Sequence, residues 1–409
     1  MIVLSGAEVV LANRVQSPGT VILDDDRILE VLQGTRSASP GSLHFDLHDH
    51  YVVPGFIDVH VHGLEGFDTL DARGGVREMA VRLVRFGVTA FCPTSVACAP
   101  RALATFLAAV RDLRLQPRPA GARVLPAHLE SNFINPEYRG AQPEQCLRRP
   151  PTARSVASEA ASPQRTESDY TAEDLLAEIA RARSDVGIVT LAPELDGALP
   201  LIERLAADGH RVSLGHSGAT FEQGLAGIKS GARAATHLFN RMPAFAHRDP
   251  GLVGAVLASD EAAAELICDG YHVHPAVLQV AIAAKHPDRV MAITDATAGA
   301  GLPVGARAAL GGRAITVHES ATYLDDGTLA GSVLTMDRAF GLLVGRVGLS
   351  LPDAATVCST TPARELGLRG LGVIAPEALA DLTVLDRNLT VAQTYVGGRL
   401  VYTRDNRPW

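Results

Sequence analysis

Between residues 56 and 295 the sequence carries eight short apolar runs, at 56–61, 89–95, 123–130, 187–194, 211–217, 234–240, 265–269 and 290–295, separated by segments with helical spacing. Runs this short read as strands covered on both faces, as in a parallel sheet packed between helices. Eight of them alternating with helices predict an α/β fold, a (β/α)8 TIM-like barrel, whose working residues sit at the C-terminal strand ends. An open doubly wound sheet competes, but no G-x-G-x-x-G or phosphate-loop signature follows the first run. With aromatic residues at 5% of a chain that is 47% hydrophobic, the core is one of Ala, Val and Leu.

Helices are predicted at about 74–86, 100–114, 171–183, 198–208, 220–229, 275–285 and 333–346. Thr171-Ala-Glu-Asp opens one with a capping hydroxyl and early acids, and Gly87 and Gly209 close two others. Outside the barrel the pattern turns strand-like, at 1–4, 9–11, 20–23, 28–32 and 43–47, and again at 382–385, 394–396 and 399–402 with a Gly397-Gly398 turn. Both ends therefore predict one small β-sandwich domain, from 1–52 and 376–409, beside a barrel of 53–375. Residues 148–169, rich in Pro, Ser, Ala, Thr and Arg, read either as a lid or as a plain surface insertion. Residues 299–331, with Gly-Gly and Asp-Asp-Gly turns, read as a hairpin excursion.

The strand ends carry the chemistry. In Val53-Pro-Gly-Phe-Ile-Asp-Val-His-Val-His-Gly, the period of two puts His60 and His62 on one face. Alone, such a pair reads equally well as two histidines hydrogen-bonded at a loop. The third run ends with His128 and Glu130, the fourth with Glu194, the fifth with His216 and the sixth passes His237. The seventh ends with Asp269, followed by His272 and His274, and the eighth with Asp295. Such groups at the ends of apolar strands are costly unless they converge and are paired or bound to a metal. Nitrogen and oxygen donors without cysteine suit Zn, Fe, Mn or Co, one or two divalent ions per chain. Such a site activates water, and a free carboxylate nearby, a part that fits Asp295, moves its proton. A serine-nucleophile elbow at Gly215-His-Ser-Gly is broken by Ala219. Cys92, Cys98 and Cys268 lie in apolar runs and read as structural thiols.

A net charge of −8 with scattered basic residues argues against a nucleic-acid partner. Five cysteines without a C-x-x-C pair suit a reducing, cytoplasmic compartment. The first residues lack the features of a secretory signal, and no apolar run approaches the roughly 18 residues of a membrane span.

Taken together, Pro54-Gly-Phe-Ile-Asp-Val-His-Val-His-Gly, Ala192-Pro-Glu, Gly215-His-Ser-Gly-Ala-Thr, Ala235-Thr-His-Leu-Phe-Asn, Asp269-Gly-Tyr-His-Val-His-Pro, Ile293-Thr-Asp-Ala-Thr, Leu329-Ala-Gly-Ser-Val-Leu-Thr-Met-Asp and Ala380-Asp-Leu-Thr-Val-Leu-Asp closely resemble the N-acetylglucosamine-6-phosphate deacetylase family of the amidohydrolase superfamily. The resemblance implies a principal metal on Glu130, His216 and His237, with Glu130 available to bridge, and a second site at His60 and His62. It implies Asp295 as general base and then acid, and N-acetylglucosamine 6-phosphate as substrate. The phosphate would meet Arg248 of a neighbouring subunit in a homodimer, with His272 and the backbone near Asn240 and Arg241 helping to hold the sugar phosphate. Two departures fall near the substrate. His-Leu-Glu-Gly-Pro-Phe is here His128-Leu-Glu-Ser-Asn-Phe, and Gly-x-His is Gly140-Ala-Gln142, where Gln cannot carry a proton. Alternatives with the same fold are a deacylase of another N-acylated amino sugar, such as N-acetylgalactosamine 6-phosphate, and a non-catalytic sugar-phosphate-binding homologue.

Overall fold

Eight parallel strands, Phe56–Val61, Val88–Ser95, Ala127–Glu130, Val186–Leu191, Arg211–Leu214, Ala234–Ala235, Ala263–Ile267 and Val290–Ile293, follow one another around a barrel. A parallel bridge between Val61 and Ala296 closes the last strand onto the first. There the Asp295 N–H donates to the His60 carbonyl at 2.9 Å and the His62 N–H to the Ala296 carbonyl at 2.8 Å. The computed structural model describes residues 1–37, 40–72, 74–117, 120–152 and 169–404. Nearly every strand residue is buried on both faces, as the continuous apolar runs require.

The strands stop earlier than the apolar runs, so the site residues of the last four runs stand in the loops just beyond the sheet. The predicted helices are present at Gly75–Leu83, Pro100–Leu115, Ala172–Arg181, Ala198–Ala207, Phe221–Lys229, Pro275–Lys285 and Met336–Leu342. Thr171 with Asp174 and Thr220 with Gln223 form reciprocal capping boxes. Gly251–Leu257, which follows the sixth strand, was not expected: Gly-Leu-Val-Gly-Ala-Val-Leu is apolar all round and almost wholly buried, so it shows no helical period. The short helical turns Leu351–Ala355 and Thr361–Glu365 were not expected either.

Both chain ends enter one eight-stranded sheet. Its order is Arg399–Thr403, Val391–Val396, Leu382–Leu385, Tyr51–Pro54, Ile2–Val10, Val15–Asp24, Arg27–Gln33, with Leu43–Asp46 also paired to Ile2–Val10. The runs at 1–4 and 9–11 are one strand, bulged around Gly6, whose φ of +84° a side chain would disfavour. The first half of that strand pairs with Leu43–Asp46 and the second with Tyr51 and Val52. The sheet thus folds over its own core, bringing the Phe45 and Tyr395 rings edge to face at 6.2 Å. Arg123 grips Asp381 with two bonds of 2.8 and 2.9 Å, joining this sheet to the barrel.

The excursion after the eighth strand is a four-stranded antiparallel meander, Arg307–Leu310, Arg313–Val317, Ala321–Leu324 and Leu329–Ser332, rather than a single hairpin. Ser332 bridges Ala296, which sets Leu310 and Leu329 over the mouth of the barrel. Of the insertion at 148–169, residues 153–168 lie outside the described residues. Among the described residues no helix is long and apolar enough to cross a membrane.

Candidate active site

His60 and His62 end the first strand side by side, with Nε2 atoms 3.1 Å apart. Gly63 must follow them, because a Cβ there would stand 2.3 Å from the Ala298 nitrogen. Glu130 ends the third strand and divides its carboxylate. Oε1 lies 2.8 Å from His216 Nε2 and 2.9 Å from His237 Nε2, and Oε2 lies 3.4 Å from His62 Nε2. His216 and His237 are themselves 3.0 Å apart. Asp295 completes the cluster, with Oδ1 3.4 Å from His60 Nε2 and 3.3 Å from His62 Nε2. All six side chains are buried.

Three of these residues hold left-handed backbone, His216 at φ +48°, His237 at +32° and Asp295 at +49°. Each such residue costs about 1–3 kcal/mol and persists only where its surroundings over-determine it, a pattern typical of working sites.

The donor set fits a divalent cation. His62 Nδ1 meets the Thr94 carbonyl at 3.2 Å and His216 Nδ1 the Tyr138 carbonyl at 2.8 Å. A carbonyl only accepts, so Nδ1 carries the hydrogen, and Nε2 of the neutral ring offers a lone pair to the cluster. Lone pairs and carboxylate oxygens crowded at 2.8–3.7 Å repel one another unless a cation lies among them. The separations match the roughly 3.4 Å between donors held tetrahedrally at about 2.1 Å. Burial favours the neutral form of His62, yet the Asp295 and Glu130 carboxylates, which would accept from a protonated Nε2, raise its pKa to about 10, so the cluster draws positive charge to the place a cation would take. Burial also works against charge on Asp295, but His60 and His62 outweigh it and hold the carboxyl at about 2.

Two groups able to hold an ion therefore share Glu130: His60, His62 and Glu130, and Glu130, His216 and His237. A third convergence, of His60, His128 and Glu265, forms the wall behind them. There His128 bonds the Val59 carbonyl at 3.0 Å and Thr190 Oγ1 at 2.8 Å.

The pocket in front is lined by Gln142, Asn240, Arg241 and His272 together with the cluster. Gln142 accepts from the Ala97 N–H at 2.7 Å and donates to Glu130 Oε2, so its amide orientation is fixed. Asn240 donates to the His237 carbonyl at 3.2 Å, and Arg241 to the Leu329 carbonyl at 3.2 Å. His272 is held through Nδ1 by Asp269 at 2.6 Å, leaving Nε2 buried with no partner among the described residues. Arg248 is exposed and does not line the pocket of its own chain.

Other strand-end groups serve structure. Glu194 accepts from Asn135, Ser217 and the Gly218 N–H, which also takes Ser217 out of nucleophilic chemistry, and His274 caps Pro275–Lys285. Ser131 bonds the Thr190 carbonyl and Asn132 the carbonyls of Cys98 and Cys146, so these departures brace the loop behind Glu130. Sequence reading passed over Glu265, which receives His60 Nδ1 at 3.0 Å. Its signal was a lone acid inside the otherwise apolar run Ala-Ala-Glu-Leu-Ile.

Residues 51–401 match the Amidohydrolase family. Over 88% of its length the chain is 37% identical to N-acetylglucosamine-6-phosphate deacetylase of Danio rerio, spanning 86% of that protein. Over 85% of its length it is 36% identical to N-acetylgalactosamine-6-phosphate deacetylase of Escherichia coli O157:H7, again spanning 86%. Among solved structures, a mutant N-acetyl-D-glucosamine-6-phosphate deacetylase of Mycobacterium smegmatis, in complex with N-acetyl-D-glucosamine-6-phosphate, superposes with a TM-score of 0.85 at 29% identity. That match covers 98% of this chain and 99% of the other.

Proposed function

The chain belongs to the N-acetylglucosamine-6-phosphate deacetylase family of the amidohydrolases, and from that premise we propose that it removes acetate from N-acetylglucosamine 6-phosphate to give glucosamine 6-phosphate. The observation that carries the reading is the pair of His/Glu groups sharing Glu130, with the free carboxylate of Asp295 against both histidines of the first.

Glu130, His216 and His237 would hold the principal divalent ion, and His60 and His62, which share Glu130 with that group, would hold a second. Zn, Fe, Mn and Co all suit these donors. Such an ion supplies acidity to water and polarises a carbonyl oxygen. The remaining work falls to side chains. Asp295, ionised well below neutrality, accepts the proton of the attacking water and returns it to the departing amine. Its fixed backbone and the flanking imidazoles keep that carboxylate aimed at one place. Gln142 has one amide hydrogen left for the substrate, Asn240 and Arg241 offer donors to the sugar phosphate, and His272 Nε2 faces a ligand hydroxyl or phosphate oxygen. Arg248, exposed on its own chain, reaches the phosphate in the partner of a homodimer, and the five free thiols suit a cytoplasmic enzyme.

A second reading keeps the chemistry and inverts one sugar hydroxyl, since identity to the galactosamine relative is 36% against 37% for the glucosamine one. Acetate release from N-acetylglucosamine 6-phosphate, N-acetylgalactosamine 6-phosphate and unphosphorylated N-acetylglucosamine, with each of the four metals supplied, decides between them. The expected order places the first substrate highest and the unphosphorylated sugar lowest. A preference for the second establishes the other sugar, and no release from any of them makes the chain a binding protein.

A further inference from the structure

Glu265 is wholly buried at the centre of the seventh strand, an acid that Asp295 and Glu130 leave without a part in the reaction. Its Oε2 lies 3.0 Å from His60 Nδ1 and, more distantly, 3.4 Å from the His237 N–H. Its Oε1 has no hydrogen-bond partner among the described residues; His128 Nδ1 lies 4.0 Å away and is turned to the Val59 carbonyl. A carboxylate buried this deeply with one oxygen bare is expensive, and a Leu or Val would fill the strand at less cost. What it provides is the one acceptor for His60 Nδ1 among the described residues.

His62 and His216 use main-chain carbonyls for this task, whereas His60 depends on a side chain that substitution can remove. We propose that Glu265 is a positioning residue: it fixes His60 as the Nδ1–H tautomer, aims Nε2 into the first His/Glu group, and so sets how tightly that group holds its ion. Outer carboxylates that orient a ligating histidine typically carry ten- to a hundredfold in metal affinity. The inference rests on the reading above, that His60, His62 and Glu130 hold one ion and Glu130, His216 and His237 another.

The test is a titration of chelator-stripped protein with Co2+, followed by elemental analysis and by the visible absorption of the bound ion. Wild type is expected to take up two equivalents. Glu265→Ala should bind one of them with unchanged affinity and the other ten- to a hundredfold more weakly. Glu265→Gln, which keeps an oxygen acceptor of the same reach, should fall between. A purely packing role would instead weaken both steps together, and an unchanged second step in Glu265→Ala would show that His60 needs no orienting partner; either overturns the inference while leaving the metal reading intact. A wild-type chain that takes up fewer than two ions overturns the two-group reading, and the inference with it.

Discussion

Asp295 stands apart from the other acids of the cluster because it faces both histidines of the first group while neither group needs it as a member. Asp295→Asn keeps size and polarity but cannot take up a proton, so turnover should fall by about 10²- to 10⁴-fold with metal content unchanged on elemental analysis. Near-normal turnover would remove Asp295 from the mechanism. The residues themselves were largely legible. His60 and His62 follow from a period of two, and Glu130, His216, His237 and Asp295 from their places at the ends of apolar runs. The left-handed backbone of His216, His237 and Asp295 was not legible, because apolar character continues past the point where the strand hydrogen bonds stop. Glu194 and His128 share the strand-end pattern yet are spent on hydrogen bonds, since the pattern gives position along a strand and not what the neighbouring loop offers.

At the scale of elements, the eight strands were readable as short apolar runs and most helices as apolar stripes, two of them opened by the caps at Thr171 and Thr220. Gly251–Leu257 was missed for a physical reason: a helix buried on every side has no polar face to mark its period. The joint between sheet and barrel was equally hidden, for Arg123 and Asp381 are 258 residues apart. Asp381 is 1% exposed and Arg123 31%. Arg123→Ala would strand that carboxylate with, among the described residues, the Gly397 N–H alone for compensation. Removing one partner of a buried pair costs roughly 3–5 kcal/mol, and the partial exposure of Arg123 lowers the expectation to about 2–3 kcal/mol. The shift in urea midpoint at constant slope measures it, with little change expected in the KM of the folded enzyme.

For the whole molecule, Arg248 lies outside the pocket of its own chain. Arg248 sits exposed on a proline-bounded segment, beside Phe245, which is 54% exposed. If it binds the phosphate of a neighbouring site, Arg248→Ala should raise KM for the phosphorylated substrate and lower kcat/KM about ten- to a hundredfold, the worth of a charge-assisted contact of roughly 1.5–3 kcal/mol. Mixing Arg248→Ala chains with Asp295→Asn chains should restore part of the activity, because each mixed dimer contains one site with both native residues. Absence of recovery after verified subunit exchange would confine Arg248 to its own surface.

The seam that closes the barrel joins Val61 to Ala296, and the histidines and carboxylate that face one another there come from opposite ends of the barrel sequence. A chain still emerging from the ribosome therefore has His60 and His62 long before it has Asp295, and the strand just before them, Tyr51–Pro54, waits longer still for Leu382–Leu385. The proton-moving carboxylate thus joins the centre last: a polypeptide stopped before Val290–Ile293 still carries Glu130, His216 and His237 but is expected to release no acetate when metal is added.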